Sequence, residues 1–420
     1  MRPSAVTAAL LALAGCEVQR EEAPREFVFQ APVTVWQSTA GGADGVWLSE
    51  AGGGRGFAML SAALPDGAAG IYAIERRGDD WGAAVAFQRP VGATMERVGS
   101  VAAWPSPIVV SLATGAAGAF VVARTFAGTG WSAPVTLSVQ GGERALIARV
   151  ADLNPGEVTG TRSRFDVVYG VASTVCAEGV EIRHRRSVPR ALLTPADITE
   201  WGAARPVALA CGLQSLSAAT SRDALAVAWV GGASGLSGTG ARDVYAVQGT
   251  GASQVNFGAP TVVQRGANRD VSAAGLGGGA FLLGWAQRAV AADGAELGLQ
   301  RGAWARYDAA LRAWNRVDTG WFFTRTSPVL RGDGAGEALA LGSDGDFATS
   351  PLVVRRWTET RAVRTRSAAG SPLGTVRSMS VLRTRDGGVE VIWLEDALVG
   401  ASQRLVWARG VRAGAADGGV

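Results

Sequence analysis

A phrase that recurs about every fifty residues constrains this chain more than any other feature, because repetition on that scale is the mark of stacked or circular architectures. In it, an aromatic side chain opens a short apolar run, often with Ala-Pro. It reads FQAPVTV at 29–35, WGAAVAF at 81–87, WSAPVTL at 131–137, WGAARPV at 201–207 and FGAPTVV at 257–263. Weaker copies begin at Trp314 and Ala362, giving seven in all. Three further strand-like runs lie between consecutive copies. They are clearest at 214–221 (QSLSAATS), 224–231 (ALAVAWVG) and 242–249 (RDVYAVQG), before 255–263 closes the unit. The same order recurs at 269–277, 279–287, 296–307 and 313–320, and again at 376–384, 388–396 and 403–411.

Each run is short, rich in β-branched and apolar residues, and bounded by Gly, Asp, Ser or Pro, which is the grammar of strands and turns. Beyond the first fifteen residues no segment keeps a helical apolar period. The second run of each unit is the most apolar, as expected of a strand covered on both faces. The first is rich in Ser, Ala and Gly, as expected where strands crowd an axis. Four-stranded units repeated around an axis make a β-propeller. The expected fold is therefore all-β, a seven-bladed β-propeller over residues 27–411, with a tandem of two-sheet sandwiches as the rival. The last unit has three strands, and the segment Phe27–Val35 is an orphan copy of the fourth. Their pairing would complete the last blade and cover what would otherwise be an exposed apolar edge.

The N-terminus is read separately, as a targeting segment. Residues 4–14 (SAVTAALLALA) form an apolar stretch too short to span a bilayer, and Leu13-Ala14-Gly15-Cys16 follows. This resembles the lipobox of bacterial lipoproteins. The resemblance implies a signal peptide over 1–15, removed in the mature chain, with Cys16 acylated and held in the bilayer. Glu17 in place of Asp leans toward the outer membrane of a cell envelope. Residues 16–26 are charged and aperiodic, a tether reaching on the order of 20 Å. The tail 412–420 is also expected to be loose.

No lysine occurs, and the net charge is only +4 with acids and arginines interleaved. That argues against nucleic acid, which needs a clustered basic face. With Cys16 lipidated, Cys176 and Cys211 remain, an even pair in an oxidising compartment and a disulfide candidate.

Gly-Asp-Asp-Trp81 and Gly-Thr-Gly-Trp131 are similar to degenerate turns of the Asp-box, or sialidase-like, propellers. The full motif is nowhere intact. Sialidase chemistry would imply an arginine triad, a Tyr nucleophile with a Glu partner and an acidic proton donor, and only four tyrosines are present. None of these roles can be placed on a position.

His184, the only histidine, lies in VEIRHRRS (180–187), read as a solvated strand. A His-based triad or multi-His zinc site is excluded by count. Arg183, Arg185, Arg186 and Arg190 nearby match the geometry of an anionic ligand, or form a solvated face. Asp344-Gly345-Asp346 and Glu395-Asp396 are read as turns rather than calcium ligands. Trp229, Trp285 and Trp393, near the ends of second strands, are assigned to packing. No catalytic residue, metal or cofactor is expected. The function expected is non-catalytic binding of an envelope protein or extracellular glycan, through loops 171–179, 231–242 and 288–296. The alternatives are a carbohydrate-active enzyme, which would gather carboxylates and arginines at the central mouth, and a purely structural envelope protein.

Overall fold

A computed structural model describes residues 26–413, apart from internal stretches of which 152–161, 192–199, 234–241, 318–326 and 358–366 are the longest. Residues 1–15, expected to be a signal peptide, together with Cys16 and most of the expected tether, therefore lie outside the described residues, as does the end of the expected tail. The described residues contain no helix, and hence none long and apolar enough to cross a membrane.

The strands form a β-propeller arrangement of antiparallel meanders. Gly45–Gly52, Arg55–Ala63, Ala69–Arg77 and Asp80–Ala86 make the first sheet. Ala93–Ala102, Ile108–Gly115, Gly118–Thr125 and Val135–Thr136 make the second. Two more four-stranded sheets span Asn268–Val317 and Val329–Gly370. Gly374–Arg383, Val389–Ala397 and Gln403–Arg412 complete the chain. The last of these pairs with both Phe27–Phe29 and Val33–Ser38, so the N-terminal strands close the final sheet (Phe27 opposite Arg412, Val33 opposite Trp407).

The expectation of seven separate four-stranded sheets is corrected here: the described strands form five discrete blades. Between the second blade and Asn268 lies one eight-stranded sheet instead. Its continuity comes from Arg205–Ser221, a 17-residue strand that pairs with Gly179–Arg186 at one end and Ala224–Ala233 at the other. A register shift between Cys211 and Ser215, with Gly212 at φ 60°, bends this strand without breaking it. A loop after a fourth strand ending near residue 209 was expected there. A small two-stranded sheet, Arg162–Ser163 with Arg190–Ala191, lies apart.

Burial follows strand position. The second strand of the first sheet is covered along most of its length, and its fourth strand is exposed at most positions. The recurring phrase marks these outer strands. Pro32, Pro134, Pro206 and Pro260 can occupy it because an outer strand leaves one row of N–H groups unpaired. Apolar clusters join each sheet to the next. One of them, with Leu48 and Leu60 against Ile392, Leu394 and Trp407, joins the first sheet to the last and closes the ring. Trp229, Trp285 and Trp393 are among the largest fully buried side chains, as their packing assignment requires. Each such burial is worth roughly 1.5–3 kcal/mol or more relative to exposure.

Serine has a second role in the innermost strands. These strands do not pair with one another, so N–H groups facing a neighbouring sheet would be left buried and unsatisfied. Serine hydroxyls of the preceding sheet accept them. Val150 N–H donates to Ser100 Oγ (2.7 Å), Val271 to Ser215 (2.9 Å), Ala273 to Ser217 (3.0 Å) and Leu330 to Ser272 (2.9 Å). Across the closing seam, Val46 donates to Ser378 and Leu48 to Ser380, both at 3.1 Å.

Candidate functional site at the propeller axis

The innermost strands surround a cavity of about 550 Å³. Its walls carry the Ser, Ala and Val expected of first strands, together with charges that interrupt that pattern: Asp44, Arg149, Arg269, Asp270, Arg331 and Arg377. Each charge is delivered by an inner strand or the residue beside it. Arg149 lies in Ala145–Val150, Arg269 and Asp270 open Asn268–Gly277, Arg331 lies in Val329–Gly332, and Arg377 lies in Gly374–Arg383. Asp44 directly precedes Gly45–Gly52.

The four arginines are not equivalent. Arg331 is spent on structure: its two terminal nitrogens donate to Leu48 O (2.8 Å) and Val101 O (2.9 Å), tying three inner strands together across the axis. Arg377 is paired with Asp396. Arg149 donates from Nη1 to Gly99 O (2.7 Å) and Ala148 O (2.9 Å). Desolvation lowers its pKa to about 10, only partly opposed by the charge of Asp270. Arg269 is half-buried on the cavity wall, and its side chain makes no hydrogen bond or ion pair with the described residues. Its neighbour Asn268 is fully buried and fixes the backbone, donating from Nδ2 to Arg242 O (2.8 Å) and Gly266 O (3.1 Å).

The two carboxylates also differ. Asp44 is held by Arg97 from the next sheet at 2.7 Å. Burial raises its pKa, and the Arg97 charge opposes that shift. Asp270 adopts φ 41°, which is uncommon for a non-glycine residue though tolerated by Asp, and accepts a 2.8 Å hydrogen bond from Ser327. Residues off their preferred backbone region persist where surrounding structure over-determines them, often at functional sites. None of the four tyrosines lines this cavity, and Tyr169 and Tyr245 are buried in the sheets. Among the described residues no three His, Cys, Asp or Glu side chains gather as a metal site.

Sequence reasoning missed this constellation. Its visible signal was charge within first strands otherwise built of small residues, as in ALIARV (145–150) and NRDVSAAG (268–275).

Other positions singled out from the sequence lie elsewhere. His184 is buried at 2% exposure and not on a solvated strand as expected. The reason is Asp166, fully buried on the neighbouring strand opposite Arg186; its Oδ1 lies 2.7 Å from both His184 Nε2 and Arg186 Nε. Burial alone would raise the Asp166 carboxyl, but these two partners hold it below its usual value. The arginine run does not form one face. Arg183 pairs with Glu181 (2.6 Å), and Arg185 donates to Gly202 O (2.7 Å). The side chain of Arg190 lies outside the described residues. Glu395-Asp396 sits in the strand Val389–Ala397 and not in a turn. Glu395 accepts from Trp393 Nε1 (2.9 Å) and Leu373 N–H (3.0 Å). Asp344-Gly345-Asp346 lies outside the described residues, as do 234–241 and 291–295 of the proposed binding loops. Cys176 and Cys211 are joined by a disulfide with Cα atoms 6.2 Å apart. Cys211 falls within the long bent strand, not after it, where pairing with Gly179 brings it beside the turn that carries Cys176.

No family model and no curated protein matches this chain. Solved structures do. The polysaccharide lyase Uly1 matches with a TM-score of 0.52 at 9% identity, over 98% of this chain and 95% of that one. An ulvan lyase of a new polysaccharide lyase family matches with a TM-score of 0.50 at 10% identity, over 91% and 94%. A sialidase from Trypanosoma rangeli gives 0.44 at 10% identity, over 88% of this chain and 55% of that one. At these identities the likeness is one of fold. It corrects the expectation that the chain is not an enzyme. Two solved structures that share this fold are polysaccharide lyases, so the lack of a familiar catalytic motif in the sequence is no ground for excluding catalysis.

Proposed function

We propose that this protein is a carbohydrate-active enzyme that takes an anionic glycan into its axial cavity. The observation that carries the reading is the pair Arg149 and Arg269. Both are cations on the cavity wall that no carboxylate of the described residues neutralises by contact. Guanidinium groups match carboxylate and sulfate oxygens in pairs, and a desolvated cation gains by meeting an anion. Asp44 and Asp270, which line the same cavity, supply the proton-transfer groups. Burial favours the protonated form of Asp44, which suits a donor to a leaving oxygen, and Asp270 is then the acceptor. The charges that distinguish an enzyme from an inert mouth of Ser, Ala and Gly are thus the ones present. A sialidase-type covalent step has no tyrosine at this cavity to carry it.

The test is turnover of a panel of uronate-, sialate- and sulfate-bearing polysaccharides, read as new reducing ends and as ultraviolet absorbance of unsaturated uronates. Arg269→Ala is expected to fold normally and lower kcat/KM by roughly 30-fold or more, the cost of removing one partner of a desolvated charge pair. Asp270→Asn is expected to lower kcat. No turnover on any member of the panel overturns the reading.

Two further parts of this reading rest on other support. The Leu-Ala-Gly-Cys16 sequence supports a lipid anchor in the bacterial envelope, on the outer membrane. The bent strand Arg205–Ser221 supports counting the eight-stranded sheet as two blades that share one strand, which gives a ring of seven.

A further inference from the structure

A second cleft, of about 640 Å³, opens between the first and second sheets near their outer strands. First and fourth strands of a blade lie three spacings apart, about 15 Å, so this cleft is separate from the axial cavity. Its wall is aromatic. Phe57 packs against Phe126 (centroids 4.7 Å apart), and Trp131 contacts Phe57, Phe126 and Phe87, each at 5.4 Å. Trp81, Phe87 and Trp131 are only half-buried, so part of each ring faces the cleft. Val85, on the same wall, is 64% exposed. The rim is polar and its charges cancel. Glu75 is held by Arg55 (2.7 Å) and Arg77 (3.0 Å), and Asp80 adds the second acid. Arg55 also reaches Gly128 O across the seam at 2.5 Å, fixing the rim to both sheets.

We infer that this inter-blade cleft is a second glycan-binding site, selective for neutral pyranose units. Three features select that occupant. A pyranose has an apolar C–H face and an edge of hydroxyls, matching an aromatic wall with a polar rim. Two cations against two anions give a charged unit no net attraction, unlike the cationic axial cavity. The aromatic rings brace one another, so little side-chain freedom is lost on binding. Uncharged stretches of a polysaccharide would then dock here while the axial site takes charged units. The inference goes beyond the axial reading and stands without it.

The test is native affinity electrophoresis of the folded chain through gels containing galactomannan, xyloglucan or mixed-linkage β-glucan. At least one neutral polysaccharide should retard the protein, and both Val85→Asn and Trp131→Ala should weaken retardation at least tenfold. Val85→Asn alters only an exposed wall residue, so it remains informative even where Trp131→Ala fails to fold. Arg269→Ala should be retarded like the wild type. Absence of turnover at the axial site, with retardation intact, would remove the axial proposal and leave this one standing. Retardation by none of the three polysaccharides overturns the inference. So does retardation unchanged in Val85→Asn, or sedimentation as a dimer that Val85→Asn dissociates.

Discussion

Arg331 and Glu390 show how individual charges are used in this ring. Arg331 is 7% exposed and spends its guanidinium on carbonyls of two other sheets. Removing it leaves the carbonyls of buried Leu48 and Val101 without those partners, and an unmet buried acceptor costs about 1–3 kcal/mol. Arg331→Ala should therefore lower stability by about 2–4 kcal/mol in urea unfolding, whereas Arg269→Ala, which breaks no side-chain hydrogen bond or ion pair among the described residues, should leave the midpoint nearly unchanged. Glu390 lies in the seam between the last and first sheets, 2.5 Å from Arg76, with Arg409 and Glu50 also acting on it. Burial pushes its carboxyl up to about 7, against the pull of Arg76 and Arg409. A folded-state pKa above the unfolded value means that folding favours the protonated acid. The associated stability is fully present below about 4.5 and is lost as pH rises through about 7, on the order of 3 kcal/mol in all. Unfolding midpoints measured at about pH 5 and about pH 8 should fall with pH, and Glu390→Gln should flatten that fall. A Glu390→Gln variant that kept the wild-type slope would show that another group is responsible.

At the scale of elements, much was legible because strands announce themselves by alternation, apolar runs and turn residues. The recurring Trp and Ala-Pro phrases mark outer strands in the structure, and residues 27–35 do meet the last strand. The break expected near residue 210 was not found. The sequence Cys211-Gly212 looks like a turn, but Gly212 serves a bend within a continuous strand. Likewise the alternation of residues 180–187 indicated a strand but could not reveal that Asp166 lies across from Arg186, within diagonal reach of His184. That contact depends on register between segments, which local pattern does not encode. The axial arginines were invisible for the same reason: each is a lone charge in its own strand, and they form a site only when separate strands converge. A sequence signal passed over is the arginine near the end of several third strands. Arg76, Arg124 and Arg186 are each buried against a carboxylate, of Glu390, Glu96 and Asp166 respectively. The disulfide is a test at this scale. It closes a 35-residue separation around the bend in Arg205–Ser221, worth ~4 kcal/mol in the chain-entropy model. Cys211→Ser should lower the unfolding midpoint accordingly. Any effect on turnover should be small, because neither cysteine lines the axial cavity.

For the whole molecule, ring closure decides where the chain is held. The N-terminal strands pair with Gln403–Arg412, and Ala413 N–H donates to Glu26 O at 2.8 Å, so both ends leave the ring together. They leave from the outer edge of the closing sheet, roughly 15 Å from the innermost strand of that blade. An anchor at Cys16 would thus hold the propeller by its rim, through about ten tether residues, and leave the axial cavity unobstructed. Anchoring and catalysis should then be separable. Cys16→Ser is expected to release the protein from washed membranes into the soluble fraction with kcat unchanged, because no group of the axial site depends on the tether. Deleting residues 27–38 should do the opposite. It strips the last sheet of its outer strands, exposes the edge of Gln403–Arg412, and removes Phe27 from the apolar cluster it shares with Val389, Val391 and Trp393. Such a chain should aggregate on purification by light scattering, whatever the state of its anchor. A Cys16→Ser protein that stayed with the membrane after salt washing would instead mean that the rim, and not a lipid, makes the attachment.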